Sequence, residues 1–274
     1  MFDIMDQAKN AIEAYNSALK VTSANIANMS VPGYKKLGIS FQSVFEKVLS
    51  QGTAAQENMG GTNPRQFGQG MAISGTSVDF SAGERTDGSL IDLAINGSGL
   101  FIVSPDSGNT MLYTRNGNFL IDAYGNLTAN GMQVYGLDNS GNLVPISNLS
   151  GSRANYQWLA DGRMQYSANP TAAIPDYTDT GYRIALTTFP NPSGLTQAQG
   201  TAFAESLASG SASAPSPPQE GTVGTITGGK IEQSNVFYLG EIIMANELQR
   251  AVSGNLTVIK MASDLISSFI SKLG

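Results

Sequence analysis

The sequence predicts an α+β protein: long N- and C-terminal α-helices forming a coiled-coil inner domain, with a central antiparallel, hairpin-rich β domain. Three observations predict it. Apolar residues recur at alternating steps of four and three along the first 26 positions. The same pattern returns over the last 40 or so residues. Between them the chain is punctuated by Asn-Gly and Asp-Gly pairs, the dipeptides of tight hairpins, because both residues tolerate positive φ.

At the N-terminus the apolar row is Met1, Met5, Ala8, Ile12, Tyr15, Leu19, Thr22 and Ile26, with Asp6, Lys9, Asn10, Glu13, Asn16 and Lys20 between. That spacing is a heptad on a helix. The helix should stop near Val31-Pro32-Gly33, since proline disfavours helix at the residue before it. Residues 1–36 are therefore read as the N-terminal helix of the inner domain. Residues 37–70 follow as an extended loop, rich in glycine (Gly52, Gly60, Gly61, Gly68, Gly70) and carrying Pro64.

Residues 71–230 read as the β-rich outer domain. Short apolar or alternating runs, such as Leu93–Ile95, Leu100–Val103 and Met111–Thr114, sit between Asp87-Gly88, Asn96-Gly97, Asn116-Gly117, Asn130-Gly131 and Asp161-Gly162. Hairpins of this kind exclude a parallel βαβ nucleotide-binding fold. Residues 145–185, with the sole Trp158, are read as a small β lobe, and 211–218 as a Pro/Ser linker. Residues 231–274 complete the inner domain. There Val252, Leu256, Ile259, Ser263, Ile266, Ile270 and Leu273 form a stripe, which Met244, Leu248, Ala251, Val258, Ala262, Leu265 and Phe269 widen. Gly254 weakens that helix by about 1 kcal/mol relative to alanine.

Composition narrows the function. Only 13% of residues are charged, against roughly 25% in ordinary soluble proteins. Such a surface repels copies of itself poorly and suits self-association, though it also fits a turn-rich β protein. A net charge of -6 argues against a phosphate-binding face, so no nucleic acid partner is expected. The chain has no Cys and no His. Thiol nucleophiles, imidazole or thiolate metal sites and Ser-His-Asp triads are thereby removed. Asp79, Asp87, Asp92, Asp106 and Asp122 lie beside strands or turns, where aspartate commonly binds its own backbone. No catalytic residue, metal site or cofactor is expected. No apolar stretch is long enough to span a bilayer, and Asp3, Asp6, Lys9 and Glu13 interrupt any signal-peptide core.

Several segments, in order, carry a family resemblance. Ala24-Asn-Ile-Ala-Asn28 and Val31-Pro-Gly-Tyr-Lys-Lys36 resemble the N-terminal signature of the flagellar rod and hook proteins. Val78-Asp-Phe-Ser-Ala-Gly83, Asp92-Leu-Ala-Ile-Asn-Gly-Ser-Gly-Leu-Phe101 and Tyr113-Thr-Arg-Asn-Gly-Asn-Phe119 resemble that family's β segments. Ile231-Glu-Gln-Ser-Asn-Val236 and Leu248-Gln-Arg250 resemble its C-terminal entry and helix. Gly60-Gly-Thr-Asn-Pro-Arg-Gln66 looks like a segment of short hook proteins and tilts the reading to hook over distal rod. The Tyr usual in the C-terminal helix is replaced by Val252, marking a divergent member.

The resemblance implies a structural subunit of the bacterial flagellar axis, exported through the flagellar type III export apparatus without a cleaved signal. It implies polymerisation with itself into a hollow helical tube that carries motor torque, beside neighbouring rod, hook or junction proteins. Self-assembly is expected to rest on Ile12, Tyr15, Leu19 and Ile26 meeting Leu248, Val252, Leu256, Ile259 and Ile266. The family motif falls on Ala24, Asn25, Asn28, Pro32, Gly33, Tyr34 and Asn235. The reading from another class is a β-rich surface-binding or adhesin module with helical anchors.

Overall fold

The computed structural model describes residues 2–50, 54, 60–63 and 65–273. Met1 of the heptad and Gly52 and Pro64 of the glycine-rich segment lie outside the described residues. The chain divides into two compact units: Met1–Ile26 with Leu37–Thr76 and Tyr238–Gly274, and Ala27–Lys36 with Ser77–Phe237.

The first unit holds both long helices, α1 (Phe2–Ala27) and α2 (Tyr238–Leu273). α1 gives way to turns just before Pro32, where proline disfavours helix. Residues expected as an extended loop instead carry two 14-residue strands, β1 (Leu37–Ser50) and β2 (Arg65–Val78), paired as a two-stranded ribbon. The ribbon meets α1 where the Gln7 side-chain amide donates to the Gly68 carbonyl at 2.6 Å. It meets α1 again where the Tyr15 and Phe41 ring centroids lie 6.0 Å apart.

The expected coiled-coil inner domain is not present among the described residues. The buried row of α1 is Ala8, Ala11, Ala14, Ala18, Thr22 and Asn25, while Ile12, Tyr15, Leu19 and Ile26 are only half-buried. The buried row steps by three, three, four, four and three, shares only Ala8 and Thr22 with the expected heptad, and takes small side chains over the large ones that suggested a seam. On α2 only Glu241, Leu248 and Ala262 are buried over 36 residues.

The second unit is a 12-stranded sheet with two short side ribbons. Its main path runs Tyr156–Trp158, Arg163–Tyr166, Thr178–Ile184, Met132–Leu137, Leu100–Ser104, Leu112–Thr114, Ala202–Ala204 and Thr196–Gln197. Every pairing along it is antiparallel. Leu100–Ser104 is buried at all five positions, so it reads as a continuous apolar run without alternation. Leu93, Phe101, Phe119, Leu127, Trp158 and Met164 belong to one core. The 145–185 region is not a separate lobe: its strands extend the main sheet, and the Trp158 indole donates to the Ile91 carbonyl at 2.7 Å.

The Asn-Gly pairs serve two different ends. Asn130-Gly131 turns a hairpin with φ of 49° and 78°, the primed turn that glycine and asparagine favour. At Asn116-Gly117 the glycine instead makes room, because a Cβ there would lie 1.7 Å from the Leu93 carbonyl oxygen.

Candidate functional site

The motif residues do not form a cleft with reactive groups. They clasp chain segments together, one set in each unit.

In the first unit Asn25 holds the C-terminal turn of α1 to the start of β1. Its amide nitrogen donates to the Leu37 carbonyl and its oxygen accepts the Leu37 N–H, both at 3.0 Å. The same nitrogen donates to Glu241 Oε2 in the first turn of α2 at 3.2 Å. Asn25 and Glu241 are each 1% exposed, so these bonds form away from competing water. Ala24 lies half-buried beside Asn25.

In the second unit the clasp is ionic. Lys35 Nζ donates to Glu232 Oε1 at 2.6 Å and to the Ser81 carbonyl at 2.7 Å. Arg115 approaches the other Glu232 oxygen at 3.5 Å. The Gly83 N–H adds a bond to Glu232 Oε1 at 3.0 Å. Burial pulls the Lys35 ammonium below the ordinary lysine range, against the opposing pull of Glu232. The backbone joins the same knot: the Gly33 N–H donates to the Glu232 carbonyl at 2.8 Å. Gly33 sits at φ 71°, and a Cβ there would lie 2.4 Å from Asn116 Cα. Asn235 completes it, accepting the Lys36 N–H at 2.8 Å and donating to the Asp79 carbonyl at 2.8 Å. Tyr34 is 2% exposed, whereas Pro32 and Asn28 are half-buried. Segments 33–36, 79–83 and 232–235 are thus stitched into one knot around a single carboxylate.

Lys35 lay inside the Pro-Gly-Tyr-Lys stretch and Glu232 beside Asn235, but no spacing in the sequence marks them as partners. They are 197 positions apart, and only the fold joins them.

The residues expected to carry self-assembly divide. Leu248 is buried. Val252, Ile259 and Ile266 are half-buried, as are Ile12, Tyr15, Leu19 and Ile26. Leu256 is 53% exposed, in company with Ile243, Met244, Met261, Leu265, Phe269 and Ile270. At 3.6 residues per turn Leu256 and Ile270 lie on one flank of the helix and Met261, Leu265 and Phe269 on the other. Among the described residues no group of His, Cys, Asp or Glu is placed to hold a metal ion, and no helix is long and apolar enough to cross a membrane.

Comparison with known proteins agrees with this picture. Residues 94–169 match the model of the flagellar hook protein FlgE/F/G D1 domain, and residues 5–35 match that of the flagella basal body rod protein. The flagellar basal-body rod protein FlgG of Bacillus subtilis is 30% identical over 265 residues, covering 96% of each chain. Its counterpart in Buchnera aphidicola subsp. Baizongia pistaciae is 30% identical over 94% of this chain and 95% of its own. The flagellar hook protein FlgE of Helicobacter mustelae is 39% identical over 44% of this chain and 27% of its own length. Likeness to axial proteins over nearly the full length of both chains leads to one conclusion: the chain belongs to the flagellar basal-body rod and hook protein family, whose members are structural subunits of the flagellar axis and not enzymes.

Proposed function

We propose that this chain polymerises helically into the hollow tube of the flagellar rod and there carries torque from the motor toward the filament. The observation that supports this reading is the set of exposed apolar side chains on both flanks of α2, either side of the arc that holds Leu248 and Ala262. Leu256 at 53%, Leu265 at 54%, Phe269 at 60% and Ile270 at 67% stand in water in the single chain. Covering one such side chain fully contributes roughly 1.5–3 kcal/mol, so a neighbouring copy laid along α2 is strongly held. Val252, Ile259 and Ile266 lie on the arc between the two flanks. Rod is favoured over hook because the rod relatives align over nearly the whole of both chains. The Helicobacter and Treponema hook proteins align with less than half of this one.

The partners of this reading are further copies of the chain, adjoining axial proteins at the ends of the tube, and the export apparatus that delivers it. Electron microscopy of purified chain at rising concentration tests it. Straight hollow tubes are expected. A chain that stays monomeric at every concentration would overturn the reading.

A further inference from the structure

The second unit has a cleft of about 740 Å³ that opens beside its ionic clasp and shares Arg115 with it. Its lining includes the apolar Phe80, Leu100, Phe189 and Pro190 together with Arg85 and Arg115. Arg115 is only 6% exposed; its terminal nitrogens donate to the Ile95 and Gly97 carbonyls at 3.4 and 2.5 Å, and its Nε has no hydrogen-bond partner among the described residues. The buried clasp places two cations, Lys35 and Arg115, on the one carboxylate of Glu232. Arg85 adds a third positive charge, its guanidinium held by Asn96 Oδ1 at 2.9 Å. Against these three cations stand Glu232 and, near Lys35, Asp79, which leaves one positive charge over at an apolar cleft in a chain that is negative overall. The fitting occupant carries an apolar side chain and a free carboxylate close together.

The chain itself exposes such a group. Ile174 is 90% exposed in the loop between strands Arg163–Tyr166 and Thr178–Ile184, with Pro175 stiffening the backbone toward Asp176. Asp176 makes no hydrogen bond or ion pair among the described residues. Other exposed apolar residues of this unit lack a free carboxylate beside them. Asp122, near Tyr124, is held by Asn126. Glu205, near Leu207, accepts the Tyr113 hydroxyl at 2.9 Å. Asp87, near Leu90, is paired with Lys230.

We propose that the cleft beside Arg85 and Arg115 receives the Ile174–Asp176 loop of a second copy of this chain, Ile174 against Phe80 and Phe189 and Asp176 facing the arginines. Ile174 stands in solvent in the single chain, so its own cleft does not hold it. Loop and cleft are different patches, so the contact is head-to-tail and generates a ring or a helix. The inference rests on the rod reading and specifies one lateral contact within the tube.

The natural chain has no cysteine, which makes the test clean. Full-length Ile174→Cys chain is mixed with full-length Ser211→Cys chain, a residue on the exposed rim of the cleft, and the tubes are mildly oxidised. Thr222→Cys serves as a second rim position. A disulfide-linked mixed dimer is expected in the mixture and not in either chain alone. Adding Asp176→Arg to the first chain should cut its yield roughly tenfold, and Arg85→Glu in the second should restore it. Tubes that form without the mixed dimer at either rim position would overturn this contact and leave the rod reading standing. Failure of the unmodified chain to form tubes would remove both.

Discussion

Glu232 balances two buried cations, so removing its charge strands both. Breaking a buried pair by changing one partner costs roughly 3–5 kcal/mol. Glu232→Gln should lower Tm by about 10 °C, since each kcal/mol shifts Tm by roughly 2–4 °C at this size; calorimetry of the full chain checks it. Gly33→Ala should also destabilise, by more than about 1 kcal/mol, because the backbone there has positive φ and Asn116 leaves no space for a Cβ. A third residue-scale effect follows from two copies of one turn, Asp122-x-x-Gly-Asn126 and Asp138-x-x-Gly-Asn142. In each, the first aspartate accepts from the residue two along and from the asparagine backbone and side chain. The backbone N–H of the asparagine is the main cause holding both carboxyls below 3.8. A depressed folded value means that the contribution is complete above the unfolded value and lost as pH falls through the folded one. Urea midpoints measured from pH 5 to pH 2 should therefore fall below about pH 4. The fall should be shallower in an Asp122→Asn, Asp138→Asn double variant, which starts from a lower midpoint at pH 5.

At the scale of elements, both helices were legible from periodicity and Pro32, and their ends differ from expectation by a few residues. Their faces were not legible. The α1 heptad selected Ile12, Tyr15, Leu19 and Ile26 because they are large, whereas close packing in this unit buries the alanines. The β1–β2 ribbon was hidden by the glycines of residues 60–70, which read as loop. α2 carries a soft centre at Ser253-Gly254-Asn255-Thr257. The side chains of Ser253, Asn255 and Thr257 donate to the carbonyls four residues back at 2.8–3.0 Å, a habit that weakens and bends helices. A Cβ at Gly254 would meet nothing within 4 Å. Gly254→Ala should therefore stabilise the chain by up to about 1 kcal/mol, read as a raised urea midpoint. Leu248→Ala should do the opposite, at a cost of roughly 2–5 kcal/mol.

For the whole molecule, the hairpin-rich β domain was legible from turn chemistry, and so was the axial role from short motifs in order. The knot around Glu232 was not, because its charges come from three distant stretches that no local pattern connects. The central claim is that the exposed apolar flanks of α2 find cover in other copies of the chain. Electron microscopy of the natural chain beside a Leu256→Asp, Leu265→Asp, Phe269→Asp variant tests it most directly. Tubes from the natural chain and none from the variant, with the variant's Tm unchanged, is the expected result. Tubes of equal number and length from both would contradict it.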